Sequence, residues 1–211
     1  MFSLVAASLA ACGSENSGSV ALGTTPTTTT TVTAPVASTT APPPTSGAPP
    51  RPTTTVPEPP PSDLSGFRTE SFRIEHFLTV PPVPVLTAVR VAHHPGFDRV
   101  VFDFDNQLPG AVSVRYVDRV VSDGSGEPVA VMGTAFLQVR YEESQAHTDA
   151  GAPTVARRIA ATGLTTVREI VLAGDYEGYV TVALGLTGRA AFRVIELRNP
   201  SRVVVDVRSL T

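Results

Sequence analysis

Beyond its first third the chain alternates apolar and polar positions with a period of two, and helical spacing is nearly absent. Val100, Phe102 and Phe104 interleave with Arg99, Val101, Asp103 and Asp105; Val112, Val114 and Tyr116 interleave with Ser113, Arg115 and Val117. The same beat returns at Leu137, Val139 and Tyr141, at Val180, Val182, Leu184 and Leu186, and at Val203, Val205 and Val207. Successive side chains of a strand point to opposite faces, so each run predicts a strand with one apolar face. Further strands are expected at Leu86–Ala92, Val167–Ala173 and Phe192–Leu197, with weaker ones at Ser71–Phe77 and Pro128–Met132.

Turn residues punctuate these runs: His94-Pro95-Gly96, Leu108-Pro109-Gly110, Asp123-Gly124-Ser125-Gly126, Gly174-Asp175, Thr187-Gly188 and Asn199-Pro200. Short strands at near-regular spacing between such turns predict an all-β domain, a β-sandwich of two packed sheets. The one long irregular stretch, residues 142–163, is expected to hold a short helical turn and to be the most mobile part.

Composition divides the chain. Between Gly13 and Ser65 lie 12 of the 20 prolines, a threonine run from Thr27 to Thr31, and four charges only: Glu15, Arg51, Glu58 and Asp63. Prolines withhold backbone donors from helix and sheet, and the sparse aliphatics cannot offset the entropy of ordering. Residues 12–65 are therefore expected to be a disordered Pro/Thr/Ser-rich stalk, of a composition also seen in O-glycosylated stalks. Residues 67–211 are one domain's worth, enough to bury roughly 68–70% of the unfolded surface without disulfides or metals. From residue 66 onward 15 Arg face 16 acidic residues. A near-neutral domain lacks the basic face a nucleic-acid binder needs.

The only cysteine, Cys12, follows a short apolar run that ends Leu9-Ala10-Ala11. That arrangement resembles the lipobox of bacterial lipoproteins. The resemblance implies a signal segment over residues 1–11, diacylglycerol on the Cys12 thiol, and a lipid-anchored, extracytoplasmic protein. The run Phe2–Ala11 is too short to cross roughly 30 Å of hydrocarbon and suits a signal h-region of about 7–15 residues. No basic residue precedes it, the first being Arg51, so the true start is expected upstream of Met1. Two or three acyl chains on one cysteine anchor stably where one does not.

Two phrases exceed generic sheet: Val89-Arg90-Val91-Ala92-His93-His94-Pro95-Gly96-Phe97-Asp98-Arg99-Val100-Val101-Phe102-Asp103-Phe104, and Phe192 to Val207 with its Asn199-Pro200-Ser201-Arg202-Val203-Val204-Val205-Asp206 ending. With Ala173-Gly174-Asp175-Tyr176-Glu177-Gly178 between them, they resemble the AMIN-like domain of actinobacterial lipoproteins, related to the AMIN domain of cell-wall amidases. Coverage runs from Leu86 to Arg208. The resemblance implies a β-sandwich and a non-catalytic targeting module for the envelope, with peptidoglycan or an envelope protein as partner. In the amidases a zinc hydrolase domain follows; none follows here before Thr211. A purely protein-binding assembly module is the second reading, and a cell-wall hydrolase with an unrecognised site the third.

Arg99 and Arg202 each open a hydrophobic strand, near Asp98 and Asp206. Either they form structural Arg–carboxylate pairs that fix register, or they offer a fork to muramyl-peptide carboxylates or sugar hydroxyls. Tyr176 and Tyr179 are near enough to form a sugar-stacking shelf, or are ordinary strand aromatics. Asp103 and Asp105 share a strand face with Arg99, and a solvated, charge-paired face is expected there. The sequence contains no Gly-x-Ser-x-Gly, phosphate loop or His-Glu-x-x-His. No cofactor, metal site or catalytic residue is expected, and His76, His93, His94 and His147 read as structural or solvated.

Overall fold

The computed structural model describes residues 64–210. Cys12, the expected signal segment over residues 1–11 and all of the expected stalk but its last two residues lie outside the described part. The domain has ten strands: β1 (Phe72–Glu75), β2 (Val85–His94), β3 (Phe97–Asp105), β4 (Ala111–Val117), β5 (Ala135–Glu142), β6 (Arg158–Ala160), β7 (Val167–Tyr176), β8 (Tyr179–Leu186), β9 (Phe192–Leu197) and β10 (Ser201–Arg208). They form a six-stranded sheet in the order β1-β4-β5-β8-β7-β6 and a four-stranded sheet in the order β2-β3-β10-β9. Every named pairing is antiparallel. The expected all-β sandwich is what the chain forms.

The alternation explains the packing. Val100, Phe102 and Phe104 of β3 and Val203, Val205 and Val207 of β10 turn inward, onto Leu137, Val139 and Tyr141 of β5 and Val180, Val182, Leu184 and Leu186 of β8, all buried in one cluster. Tyr141 takes Phe102 and Phe104 edge-on, with ring centroids 5.4 and 5.0 Å away. Each such side chain contributes roughly 1.5–3 kcal/mol when fully buried. The opposite face of the four-stranded sheet carries Arg99, Val101 and Asp103 from β3, Arg202, Val204 and Asp206 from β10, and Arg193 and Ile195 from β9, by the same parity.

Besides the turn expected at Gly174-Asp175, which lies inside β7, two expectations differ from the structure. Pro128–Met132 is no strand; it makes a single bridge, Val121 to Pro128. Its backbone instead runs against a sheet face. The Met132 amide donates to Glu169 Oε2 at 2.9 Å, and the Met132 carbonyl stands 1.9 Å from where a Cβ on Gly185 would sit. Only glycine at 185 tolerates that approach. The second difference is the irregular stretch. It holds no helical turn but the short strand β6, and before it residues 143–157 are pinned by backbone bonds: Leu86 to Gln145 at 2.8 Å, Gln145 to Pro84 at 3.0 Å, Thr154 to Ala146 at 2.9 Å and Leu172 to Arg157 at 2.9 Å. Pro84, Leu86 and Leu172 lie far away along the chain, which local sequence does not reveal.

Candidate functional site

Asp206 is fully buried, and its carboxylate lies between two arginines on neighbouring strands. Arg99 Nε and one of its terminal nitrogens donate to Oδ1 and Oδ2 at 2.7 and 2.9 Å; Arg193 Nε donates to Oδ2 at 2.8 Å. The three residues are register partners across β3, β10 and β9. Arg193 also donates to the Ser65 carbonyl at 3.1 Å, and its guanidinium lies 4.8 Å from the Phe67 ring centroid and 5.2 Å from that of Phe97. This is the structural Arg–carboxylate pairing, with a second arginine that sequence reading missed. The signal was present: counting outward from the Asn199-Pro200 turn pairs Leu197 with Arg202 and Arg193 with Asp206.

Asp98 does not join that cluster. It is fully buried and faces the start of β7, where it accepts the amides of Thr165, Thr166 and Val167 at 2.9, 2.6 and 3.0 Å. His93 Nδ1 adds a fourth donor at 2.9 Å. Burial pushes the Asp98 carboxyl up, but the hydrogen bonds from His93 and then the three amides outweigh it, and the group is held below the usual carboxylate range. Asp98 thus ties one sheet to the other. Arg202 opens β10 opposite Asp103, but Asp103 is taken by Arg90 in a two-point pair at 2.7 Å, and the buried Arg202 Nε has no hydrogen-bond partner.

Tyr176 and Tyr179 are cross-strand partners on either side of a tight turn, Glu177-Gly178, with φ of 49° and 79°. They nonetheless serve different cavities. Tyr179 lies under the Arg140 guanidinium, 4.1 Å from centroid to Cζ. It lines a cavity of about 360 Å³ with Arg73, His76, Glu142 and Glu177. Arg73 grips Glu142 there at 2.6 and 3.0 Å, which holds the Glu142 carboxyl below its usual range. His76 bridges the Pro109 carbonyl and Glu196 at 2.8 and 2.9 Å.

Tyr176 is half exposed and lines a larger cavity, about 600 Å³, with Asp123, His147, Arg157, Leu172 and Asp175. Three segments build it: the end of β7, the loop of residues 118–134, and the loop of residues 143–157. A bulge interrupts β7 between Leu172 and Gly174; bulges of this kind re-aim side chains beside sites. Gly174 then makes room for Asp123, whose Oδ2 is 2.2 Å from the place a Cβ on Gly174 would occupy. The Tyr176 ring lies over Gly124, 3.4 Å from where a Cβ there would sit, an ordinary contact.

The charges in this cavity are not all matched. His147 Nδ1 meets Asp175 Oδ2 at 2.7 Å. Asp123 Oδ2, by contrast, is buried without a hydrogen-bond partner. Arg157, an exposed residue, is held in place by its own carbonyl, which accepts the Leu172 amide, and its guanidinium has no ion-pair partner among the described residues. Sequence reading took Asp123 only as a turn residue and gave Arg157 no role. The trace available was Gly174, since a glycine within a strand marks a close backbone approach. A third cavity, about 580 Å³, lies at the other end of the sheet beside Arg115, Tyr116 and Arg189. Among the described residues no cluster of His, Cys, Asp and Glu could hold a metal ion.

A family model, the AMIN-like domain, matches residues 84–209. No curated protein matches the chain, and no solved structure does.

Proposed function

Since the chain belongs to the AMIN-like domain family, whose role is at the cell envelope, we propose that it is a non-catalytic recognition module that binds peptidoglycan. It works from the outer surface of the membrane, held there by lipid on Cys12. The observation that supports recognition is the cavity of about 600 Å³, within the roughly 300–1,000 Å³ common for ligand sites, where Tyr176 stands beside a carboxylate its own fold leaves unmatched. Arg99, Asp206 and Asp98, by contrast, are spent on holding strands and sheets together.

The test is co-sedimentation of the full chain with isolated peptidoglycan. The chain is expected in the pellet, and Tyr176→Ala to reduce the bound fraction at unchanged thermal stability. A chain that stays in the supernatant, while cross-linking in cells recovers one envelope protein, replaces this reading with that of a protein-binding assembly module. Incubation with wall fragments is expected to release no product. Mass spectrometry of the N-terminal peptide from cells is expected to find diacylglycerol on Cys12.

A further inference from the structure

The cavity beside Tyr176 carries one unmatched group of each sign. Asp123 Oδ2 is shielded against Gly174 and unpartnered. The fold thus leaves the carboxylate charge uncompensated, at a cost, and a ligand ammonium that meets the carboxylate from the cavity side offsets that cost on binding. Asp175, the other acid on the wall, already accepts His147 at 2.7 Å, so Asp123 is the acceptor left over. Arg157 supplies the opposite charge, and a guanidinium suits a carboxylate in two-point geometry. Between them the lining is small and apolar, with Ala146, Pro153, Val155 and Leu172.

From this juxtaposition we propose that the cavity is a receptor for a short peptide bearing both a free ammonium and a free carboxylate, the ammonium on Asp123 and the carboxylate on Arg157. A neutral saccharide fits less well. Its hydroxyls can donate to Asp123 and accept from Arg157, but they bring no opposite charge to either, and the apolar wall suits short aliphatic side chains better than sugar hydroxyls. The Tyr176 ring closes the open side over the peptide. The proposal rests on the envelope-binding reading above and names the part of the wall polymer that is held: its peptide, not its glycan.

The test uses the full chain, isotopically labelled, and amide NMR with three probes. These are an alanyl-glutamyl-diaminopimelate tripeptide, the same tripeptide with its amines acetylated, and a chitin tetrasaccharide. The free tripeptide is expected to shift the amides of Asp123, Gly174 and Tyr176 in a saturable way. Acetylation, Asp123→Asn and Arg157→Gln are each expected to weaken binding by roughly tenfold or more. Asp123→Asn is expected to leave the melting temperature unchanged or raised, because it removes an unmatched buried charge; a merely structural Asp123 would lower it. Saccharide shifts at these amides without tripeptide shifts, or wild-type affinity in Asp123→Asn, overturns the proposal. If the chain pellets with peptidoglycan but ignores the tripeptide, this inference fails and the envelope-binding reading stands. If it does neither, both fail.

Discussion

Asp206 and Asp123 each hide a carboxylate oxygen from solvent, in opposite surroundings. Asp206 sits mid-strand and accepts three hydrogen bonds from two arginines that the sheet register delivers to it. Asp123 sits on a loop, laid over a glycine, and its one buried oxygen, Oδ2, accepts none. The contrast separates framework from recognition more sharply than residue type does. A buried charge whose partners come from neighbouring strands is satisfied before any ligand arrives; one supplied by a loop and left unmatched is satisfied only by something else.

The strongest break in that comparison is Asp206→Ala. It leaves buried guanidinium groups without their carboxylate and is expected to cost about 3–5 kcal/mol, read from chemical denaturation. Asp123→Ala, at the other pole, is expected to cost little or nothing in the same measurement. Asp98→Asn comes next. An amide accepts at one oxygen instead of two and is uncharged, so some of the Thr165–Val167 amides lose their acceptor, at about 1–3 kcal/mol.

Asp98 also sets an acid limit. Its carboxyl is lower in the folded state than in the unfolded chain. The unfolded state therefore binds the proton more readily, and the stabilisation is present above about pH 4 and lost as pH falls through the folded value. Wild type is expected to lose stability on acidification below about pH 4, and Asp98→Asn to show a shallower loss over the same range. Equal slopes in the two proteins would remove Asp98 from the framework.

Gly174→Ala sharpens the other side. The added methyl would meet the Asp123 carboxylate, which must swing away, with an expected loss of about 1–3 kcal/mol from overpacking and of peptide binding together. Smallest in stability is Tyr176→Ala, expected to stay within about 0.5 kcal/mol of wild type at this half-exposed position while wall binding falls.

How much of this was legible beforehand follows the same divide. The strands were written in the alternation: β9 falls at Phe192–Leu197 as read, and β2 and β7 only extend beyond their expected ends. That Arg99 and Asp206 belong to Arg–carboxylate pairs was legible, but the pairing was not: sequence set Arg99 beside Asp98 and Arg202 beside Asp206, whereas Arg99 reaches Asp206 because β3 and β10 lie side by side. The cavity was not. Asp123, His147 and Arg157 lie on loops whose course depends on where they touch distant strands, as when Gln145 meets Pro84 and Leu86. No periodicity encodes such docking. Pro128–Met132 failed for a related reason: its apolar residues favour a strand, but the free sheet edges are elsewhere, and it settled against the face at Gly185 instead. Tyr176 and Tyr179 were rightly seen as adjacent, but the two lead into separate cavities.

β1 lies before the stretch that the family model matches, which begins at residue 84, and yet β1 covers β4 along Phe72–Glu75. A protein trimmed to residues 84–209 would bare the amides and carbonyls of β4 and lose the backbone bridge from Arg68 to Phe192. Bared strand borders invite other chains to add on. Shortened to its recognisable part, the domain would polymerise or precipitate more readily, whereas beginning at residue 64 keeps β4 paired and leaves only the four residues of β1 at that border.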